Sequence, residues 1–310
     1  MRADDVTALI GNTPVAGIHR LSPNPRVKIW AKLEGQNPTG SLKDRIARAM
    51  IDAAEASGRL THDKVLLEPT SGNTGISLAF FAQQRGYRLV CVMPETASEE
   101  RRRMIEMFGG EVVPSPGERG SNGAIQVARE MAASDDKYFM LYQYGNEANP
   151  RAHEETTGPE ILRDVPGITH FVAGLGTGGT LTGVGRFFRK AKPNVQIVAA
   201  EPEQGDLVYG LRSLDDGFVP EVLDSSVIHR KLKVNAADSV RWTQELLRVE
   251  GVFAGISAGA TVHVARRVAA TLSSGEIVCL FADGGWKYLS TGIWVKPPEE
   301  GGKDVEYMPW

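Results

Sequence analysis

The chain has 310 residues, 42% of them hydrophobic and 24% charged, with a formal net charge of -3 at pH 7 and an isoelectric point near 6.1. This is globular material, long enough for two domains that each bury a core, and it excludes extended disorder and a nucleic-acid footprint. No apolar run approaches the roughly 18 residues of a membrane span, and Met1-Arg2-Ala3-Asp4-Asp5 leads into no signal-peptide core, so a cytoplasmic protein without membrane contact is expected.

Val27 to Glu34 alternates apolar with polar or amphipathic side chains, a strand period, and runs into Asn37-Pro38-Thr39-Gly40-Ser41-Leu42-Lys43-Asp44-Arg45. Ser41 is placed to cap a following helix whose apolar positions are Ile46, Met50, Ala53 and Ala54. Lys43 then falls in the first turn, facing the positive end of the helix dipole. That position disfavours the ammonium and favours the neutral amine a Schiff base needs.

Val65 to Glu68 is a second strand, ending in Pro69-Thr70-Ser71-Gly72-Asn73-Thr74-Gly75 before a helix from about Ile76 to Gln84. Hydroxyls at Thr70, Ser71 and Thr74, the Asn73 amide and a helix N-terminus compose an anion nest that suits an amino-acid carboxylate. The same residues would also serve as a plain strand-to-helix turn.

Leu89 to Met93 is the next strand. Thr96-Ala97-Ser98-Glu99 predicts a capping box, and Gly109-Gly110 ends the helix that follows. Within that helix Arg101-Arg102-Arg103 adjoins Glu99 and Glu100 and reads as a solvated face. Gly117 to Gly123 reads as a loop, either a surface turn or one long enough to move over a cleft. Phe139 to Leu141 is a strand with Tyr142 and Gln143 at its carboxyl end, where open α/β sheets hold ligands.

The strand His170 to Leu175 opens into Gly176-Thr177-Gly178-Gly179-Thr180 ahead of a helix over Leu181 to Lys190, the composition of a phosphate cradle. Gly174-x-Gly176-x-x-Gly179 also matches a dinucleotide fingerprint, with Glu201 as a candidate ribose-binding acid, so a nicotinamide oxidoreductase stays open at this point. Arg212 lies in the loop Gly210 to Gly217, where it either pairs with Asp215 or Asp216 or reads an anion. Helices over about Asp238 to Glu250 and Ala260 to Thr271 flank a loop containing Ser257. The strand Ile277 to Ala282 delivers Asp283-Gly284-Gly285-Trp286-Lys287, and the tail beyond Val295 either frays or folds back.

Cys91 and Cys279 each sit in an apolar run and read as buried structural thiols. The six histidines show no ligand spacing, so no metal is expected. The β-α alternation predicts an α/β protein.

Taken together, Pro38 to Arg45, Pro69 to Gly75, Gly176 to Thr180, Gly255 to Ala260 and Lys287-Tyr288-Leu289-Ser290-Thr291 resemble the cysteine synthases, within the fold-type II (tryptophan synthase β-like) pyridoxal phosphate enzymes. The resemblance covers nearly the whole chain. Gly285-Trp286-Lys287-Tyr288, Tyr142 to Asn146 and the Arg212 loop are most similar to the branch that uses O-phosphoserine. The resemblance implies two doubly wound α/β domains with the active site between them: a smaller, mobile domain at 43-149, and a larger, cofactor-binding domain from 1-42 plus 150-310 with a C-terminal tail.

It also implies that Lys43 forms the Schiff base with pyridoxal 5'-phosphate, Asn73 bonds the phenolic oxygen, Gly176, Thr177, Gly178, Gly179 and Thr180 hold the phosphate, and Ser257 faces the pyridine nitrogen. Thr70, Ser71, Thr74 and Gln143 would grip the substrate carboxylate, and Arg212 would read the leaving phosphate. The implied reaction is β-replacement on O-phospho-L-serine through an α-aminoacrylate, giving L-cysteine. O-acetylserine sulfhydrylase using sulfide and cystathionine β-synthase are the alternatives. A homodimer and a thiocarboxylated sulfur-carrier protein as donor are further implications, with the Gly117 to Gly123 loop and the tail gating access.

Overall fold

The computed structural model describes residues 3-301, whose contacts fall into two compact units. One is Lys43–Asn149; the other takes the described residues up to Leu42 and from Pro150 onward. In chain order the elements are β1 (Val15–Gly17), β2 (Val27–Leu33), α1 (Lys43–Ala56), β3 (Val65–Pro69), α2 (Asn73–Arg85), β4 (Arg88–Pro94), α3 (Glu99–Met107), β5 (Glu111–Ser115), α4 (Gly120–Ser134) and β6 (Tyr138–Met140). Then come α5 (Ala148–Ala152), a π-helical turn (His153–Thr157), α6 (Gly158–Asp164), β7 (His170–Gly174), α7 (Gly179–Ala191), β8 (Gln196–Pro202), β9 (Arg230–Val234), α8 (Ala236–Glu245), α9 (Ile256–Ala269) and β10 (Gly275–Phe281).

In the smaller unit four strands lie in the order β5-β4-β3-β6, each neighbour parallel. β3 is buried at every position and β4 at all but its first, which is why these strands read as apolar runs instead of alternating. The order reverses at β3: α2 leads from it to β4 on one side, while β6 pairs with its other side. Such a switch point leaves a crevice at the carboxyl ends of β3 and β6.

The larger unit has a six-stranded sheet in the order β1-β2-β10-β7-β8-β9. All its pairs are parallel except β1 with β2, a departure from a purely doubly wound sheet. The short link between those two strands contains no crossover helix, and without one only antiparallel pairing is open to them. Ile277, Cys279 and Phe281 pack on one face of β10 with Val262 and Ala265 of α9. Val278 and Leu280 pack on the other with Leu181, Val184 and Phe188 of α7. Here the switch point lies at β7, between β8 and β10.

Three local expectations change. Ser98 is the N-cap of α3 but its hydroxyl makes no capping bond, and the helix begins at Glu99, two positions too late for a box headed by Thr96. Gly117 to Gly123 is not a long loop: Gly117–Arg119 is a 3-10 turn and α4 starts at Gly120. Two of its glycines serve close packing, since a Cβ on Gly117 would stand 2.8 Å from Thr96 Cγ2 and one on Gly123 2.7 Å from Arg119 Cβ. Likewise α9 begins at Ile256, well ahead of Ala260, so Ser257 is in its first turn. Gly259 breaks nothing there; a Cβ on it would meet Ser239 O at 1.9 Å, so it permits the close approach of α8 and α9. Of the tail beyond Val295, for which a gating role is expected, residues 302-310 lie outside the described residues.

Candidate active site

Lys43 is the first residue of α1 and is half-buried. The residues before it are pinned in the larger unit, where Leu42 N donates to Ala282 O at 2.9 Å and Ser41 bridges Asp283. Asn37 accepts from Gly11 N and donates to Glu34, so the turn ahead of the lysine is hydrogen-bonded at both ends. On the other side of the lysine, buried Asp44 accepts from Ser77 Oγ of α2 at 2.6 Å.

The nest after β3 folds around Thr70, whose hydroxyl oxygen accepts from Gly72 N at 3.0 Å and Gly75 N at 3.3 Å. Asn73 and Thr74, expected in the loop, form the first turn of α2, which carries no acidic residue. Gly72 has φ of 148°, open to glycine alone, and a Cβ there would meet Arg101 Cδ at 2.4 Å. Arg101 is therefore not part of a solvated face. It is 4% exposed, on the same helical face as buried Ile105, and donates to Ser71 O at 3.3 Å. Its i, i+4 spacing from Ile105 was the available signal.

Gln143 lies beyond the end of β6, buried, its Oε1 accepting from Thr74 Oγ1 at 2.7 Å and its Nε2 donating to Pro69 O at 3.3 Å. The switch point thus joins the β3 loop to the β6 loop through that amide. Glu68, read only as a strand residue, is fully buried and accepts from Tyr142 N at 2.7 Å and Gln143 N at 3.0 Å. Burial pushes its carboxyl up to about 8, against the lowering pull of those two amides, the Gln143 side chain and the Lys43 charge.

In the larger unit, Gly176 to Thr180 leads from β7 into α7, whose first turn also lacks an acid. A Cβ on Gly176 would stand 2.6 Å from Gly210 O, and Gly178 has φ of 82° with Leu223 Cδ1 at 2.8 Å from its Cβ position. Thr177 Oγ1 accepts from Gly179 N, and Thr180 Oγ1 lies 3.3 Å from Nε2 of buried His153. His153 Nδ1 is 2.9 Å from Thr157 Oγ1. No motif marked this histidine, because the π-helical turn that aims it is a tertiary feature.

Arg212 N donates to Leu175 O at 2.7 Å, which sets the Arg212 loop beside the cradle. Its guanidinium carbon lies 4.3 Å from the Phe218 ring centroid. Asp215 is held by Lys233 at 2.6 Å. Glu201 is wholly buried and accepts from Leu214 N and Lys233 Nζ, so it is a structural acid with no role toward a ribose. Ser257 is buried in an acid-free first turn of α9. Cys91 and Cys279 are free and buried, and burial pushes both thiols up, away from nucleophilic use. Among the described residues no cluster of three or more His, Cys, Asp or Glu is placed to hold a metal, and no helix is long and apolar enough to cross a membrane.

These residues fit a small phosphorylated aldehyde. Backbone N-H groups and hydroxyls at the start of α7 suit a phosphate, and a cradle of glycines that a Cβ would fill lets it come close. Lys43 supplies an amine at a helix start, and Ser257 a neutral hydroxyl at another. The two α/β units, and the donors each of them carries, are those expected of a fold-type II enzyme that works through such a cofactor. The chain belongs to the pyridoxal-phosphate dependent enzymes, whose family model matches residues 6-283, and pyridoxal phosphate is its cofactor. It is 41% identical over 301 residues to the cysteine synthase of Staphylococcus aureus (strain N315), with 94% of this chain and 97% of that one covered. Two solved structures are similar as well. The crystal structure of an O-ureido-L-serine synthase has a TM-score of 0.89 and 40% identity over 95% of this chain and 96% of the other. A hydrogen sulfide-producing enzyme from Fusobacterium nucleatum has a TM-score of 0.85 and 36% identity over 93% and 100%.

Proposed function

We propose that this enzyme makes L-cysteine by β-replacement, exchanging the phosphate of O-phospho-L-serine for a sulfur nucleophile. The similarity to a cysteine synthase over nearly both chains supports the reaction type. The observation that carries the phosphoserine preference is Arg212, whose backbone N-H is held by Leu175 O beside the glycine cradle. A leaving phosphate with about two negative charges gains charge-assisted, bidentate bonds from a guanidinium, whereas acetate gains far less.

When bound, pyridoxal phosphate supplies the electron sink for bond breaking at the α-carbon of the amino acid. Lys43 Nζ would hold the cofactor, and its amine would serve as the base that takes the α-proton of the substrate and later returns it. Asn73 would hold the cofactor's phenolic oxygen. Gly176 to Thr180 would bind its phosphate, and Ser257 would offer a neutral hydroxyl to its ring. Thr70, Ser71, Thr74 and Gln143 receive the substrate carboxylate and orient the α-carbon toward Lys43. A homodimer, a mobile smaller domain and a protein thiocarboxylate as sulfur donor belong to the same reading, which the cysteine-synthase resemblance supports.

The test is steady-state kinetics of the holoenzyme with O-phospho-L-serine and O-acetyl-L-serine, each against sulfide and a protein thiocarboxylate. A higher kcat/KM for phosphoserine, abolished in Lys43→Ala, is expected. Preference for acetylserine would assign the enzyme to sulfide-using O-acetylserine sulfhydrylases, and formation of O-ureido-L-serine would assign it to the other reaction named among its structural relatives.

A further inference from the structure

We propose that Glu68 is a positioning residue for the amino-acid substrate, clamping the backbone after β6 so that the Gln143 amide stays beside Thr74. The proposal rests on the reading that Gln143 and Thr74 receive the substrate carboxylate. Its physical basis is an accounting of backbone donors. The β3-β6 ladder runs from Val65↔Tyr138 to Leu67↔Met140, and Leu141 N still donates to Leu67 O at 3.2 Å. Past that point the chain must leave the sheet, because Tyr142 takes φ of 56°, a left-handed conformation that a bulky side chain rarely adopts. The N-H groups of Tyr142 and Gln143 therefore lose the β3 backbone as acceptor, in a buried place where unpaired donors are costly.

Glu68 takes over. Its two oxygens accept one N-H each, Oε2 from Tyr142 at 2.7 Å and Oε1 from Gln143 at 3.0 Å, and its side chain is wholly buried. Asn149 Nδ2 donates to Gln143 O at 2.8 Å, so both ends of the Gln143 peptide unit are held. With the backbone locked, the Gln143 amide keeps Oε1 on Thr74 and Nε2 on Pro69. A carboxyl is needed because both of its oxygens keep a lone pair to accept with, even when one carries the proton; the NH2 of an amide at this position has none and would turn a donor toward one of the two N-H groups.

The experiment compares wild-type and Glu68→Gln holoenzyme, using whichever of O-acetyl-L-serine and O-phospho-L-serine the wild type turns over, with sulfide. Glu68→Gln should bind pyridoxal phosphate as wild type does and raise KM for the activated serine about tenfold while kcat changes less than about threefold. In a Gln143→Ala background the same change should add less than about twofold, because the clamp then has nothing to position. An unchanged KM, or equal tenfold losses in both backgrounds, would overturn the proposal. Wild type inactive on both serines would instead sink the reaction assigned above. Amide hydrogen exchange on wild type decides the clamp without any variant: Tyr142 and Gln143 should exchange at least about tenfold more slowly than exposed Glu147, and rates equal to it would overturn the proposal.

Discussion

Ser77 Oγ donates to the Asp44 carboxylate at 2.6 Å, both side chains fully buried, and so ties the first turn of the helix that begins at Lys43 to the helix that begins at Asn73. The same hydroxyl lies 3.1 Å from Asn73 O. One serine thereby couples the lysine's helix to the turn that carries Asn73.

Replacing Ser77 with alanine removes a charge-assisted bond to a buried carboxylate. The expected cost is about 1.5-3 kcal/mol of stability, read from the urea midpoint at constant slope. A loss below about 0.5 kcal/mol would show that Asp44 is held sufficiently by its other partners.

Arg212→Ala should lower kcat/KM for O-phospho-L-serine by about two orders of magnitude and leave O-acetyl-L-serine within about threefold. Arg212→Lys keeps the charge and loses the fork, so it should recover only part of the preference. Equal losses on both substrates would remove Arg212 as the selector.

Gly176→Ala places a methyl 2.6 Å from Gly210 O, a backbone atom that cannot swing aside. The cradle must open to admit it, and the dissociation constant for pyridoxal phosphate should rise by at least about tenfold in an equilibrium titration followed by absorbance. Wild-type affinity in the variant would mean that the cradle tolerates a side chain and is not the phosphate site.

The raised Glu68 carboxyl has a defined sign in stability against pH. Below about 4.5, the ordinary value, folded and unfolded chains both hold the proton. Between there and about 8 only the folded chain keeps it, so rising pH weakens the fold, and above about 8 the effect levels off. Lys43 from α1 and Cys91 from β4 are the titratable groups coupled to it. Wild type should lose on the order of a few kcal/mol relative to Glu68→Gln between pH 5 and pH 8, measured by urea unfolding. A difference independent of pH would refute the shifted carboxyl.

Much of this enzyme is local chemistry and can be read directly from the chain. Lys43 at a helix start, hydroxyls and glycines at Pro69 to Gly75 and Gly176 to Thr180, and the apolar strands around Cys91 and Cys279 each owe their character to near neighbours, so a linear reading finds them. Glycines were the ambiguous letters. Gly117, Gly123 and Gly259 look like breaks in sequence, yet they are close contacts, and only the neighbour across the gap tells the two apart.

What the tertiary structure alone decided is where buried charge and buried imidazole went. Arg101 turned from an expected solvent face onto the Ser71-Gly72 loop, Glu201 from a candidate ribose acid into an ion pair with Lys233, and His153 came to rest on Thr180. Glu68 was one acid at the end of an apolar strand until the chain beyond β6 supplied two amide donors. Charges in a folded interior are settled by partners distant in sequence, because the cost of leaving them unpaired is met only once those partners are brought into reach.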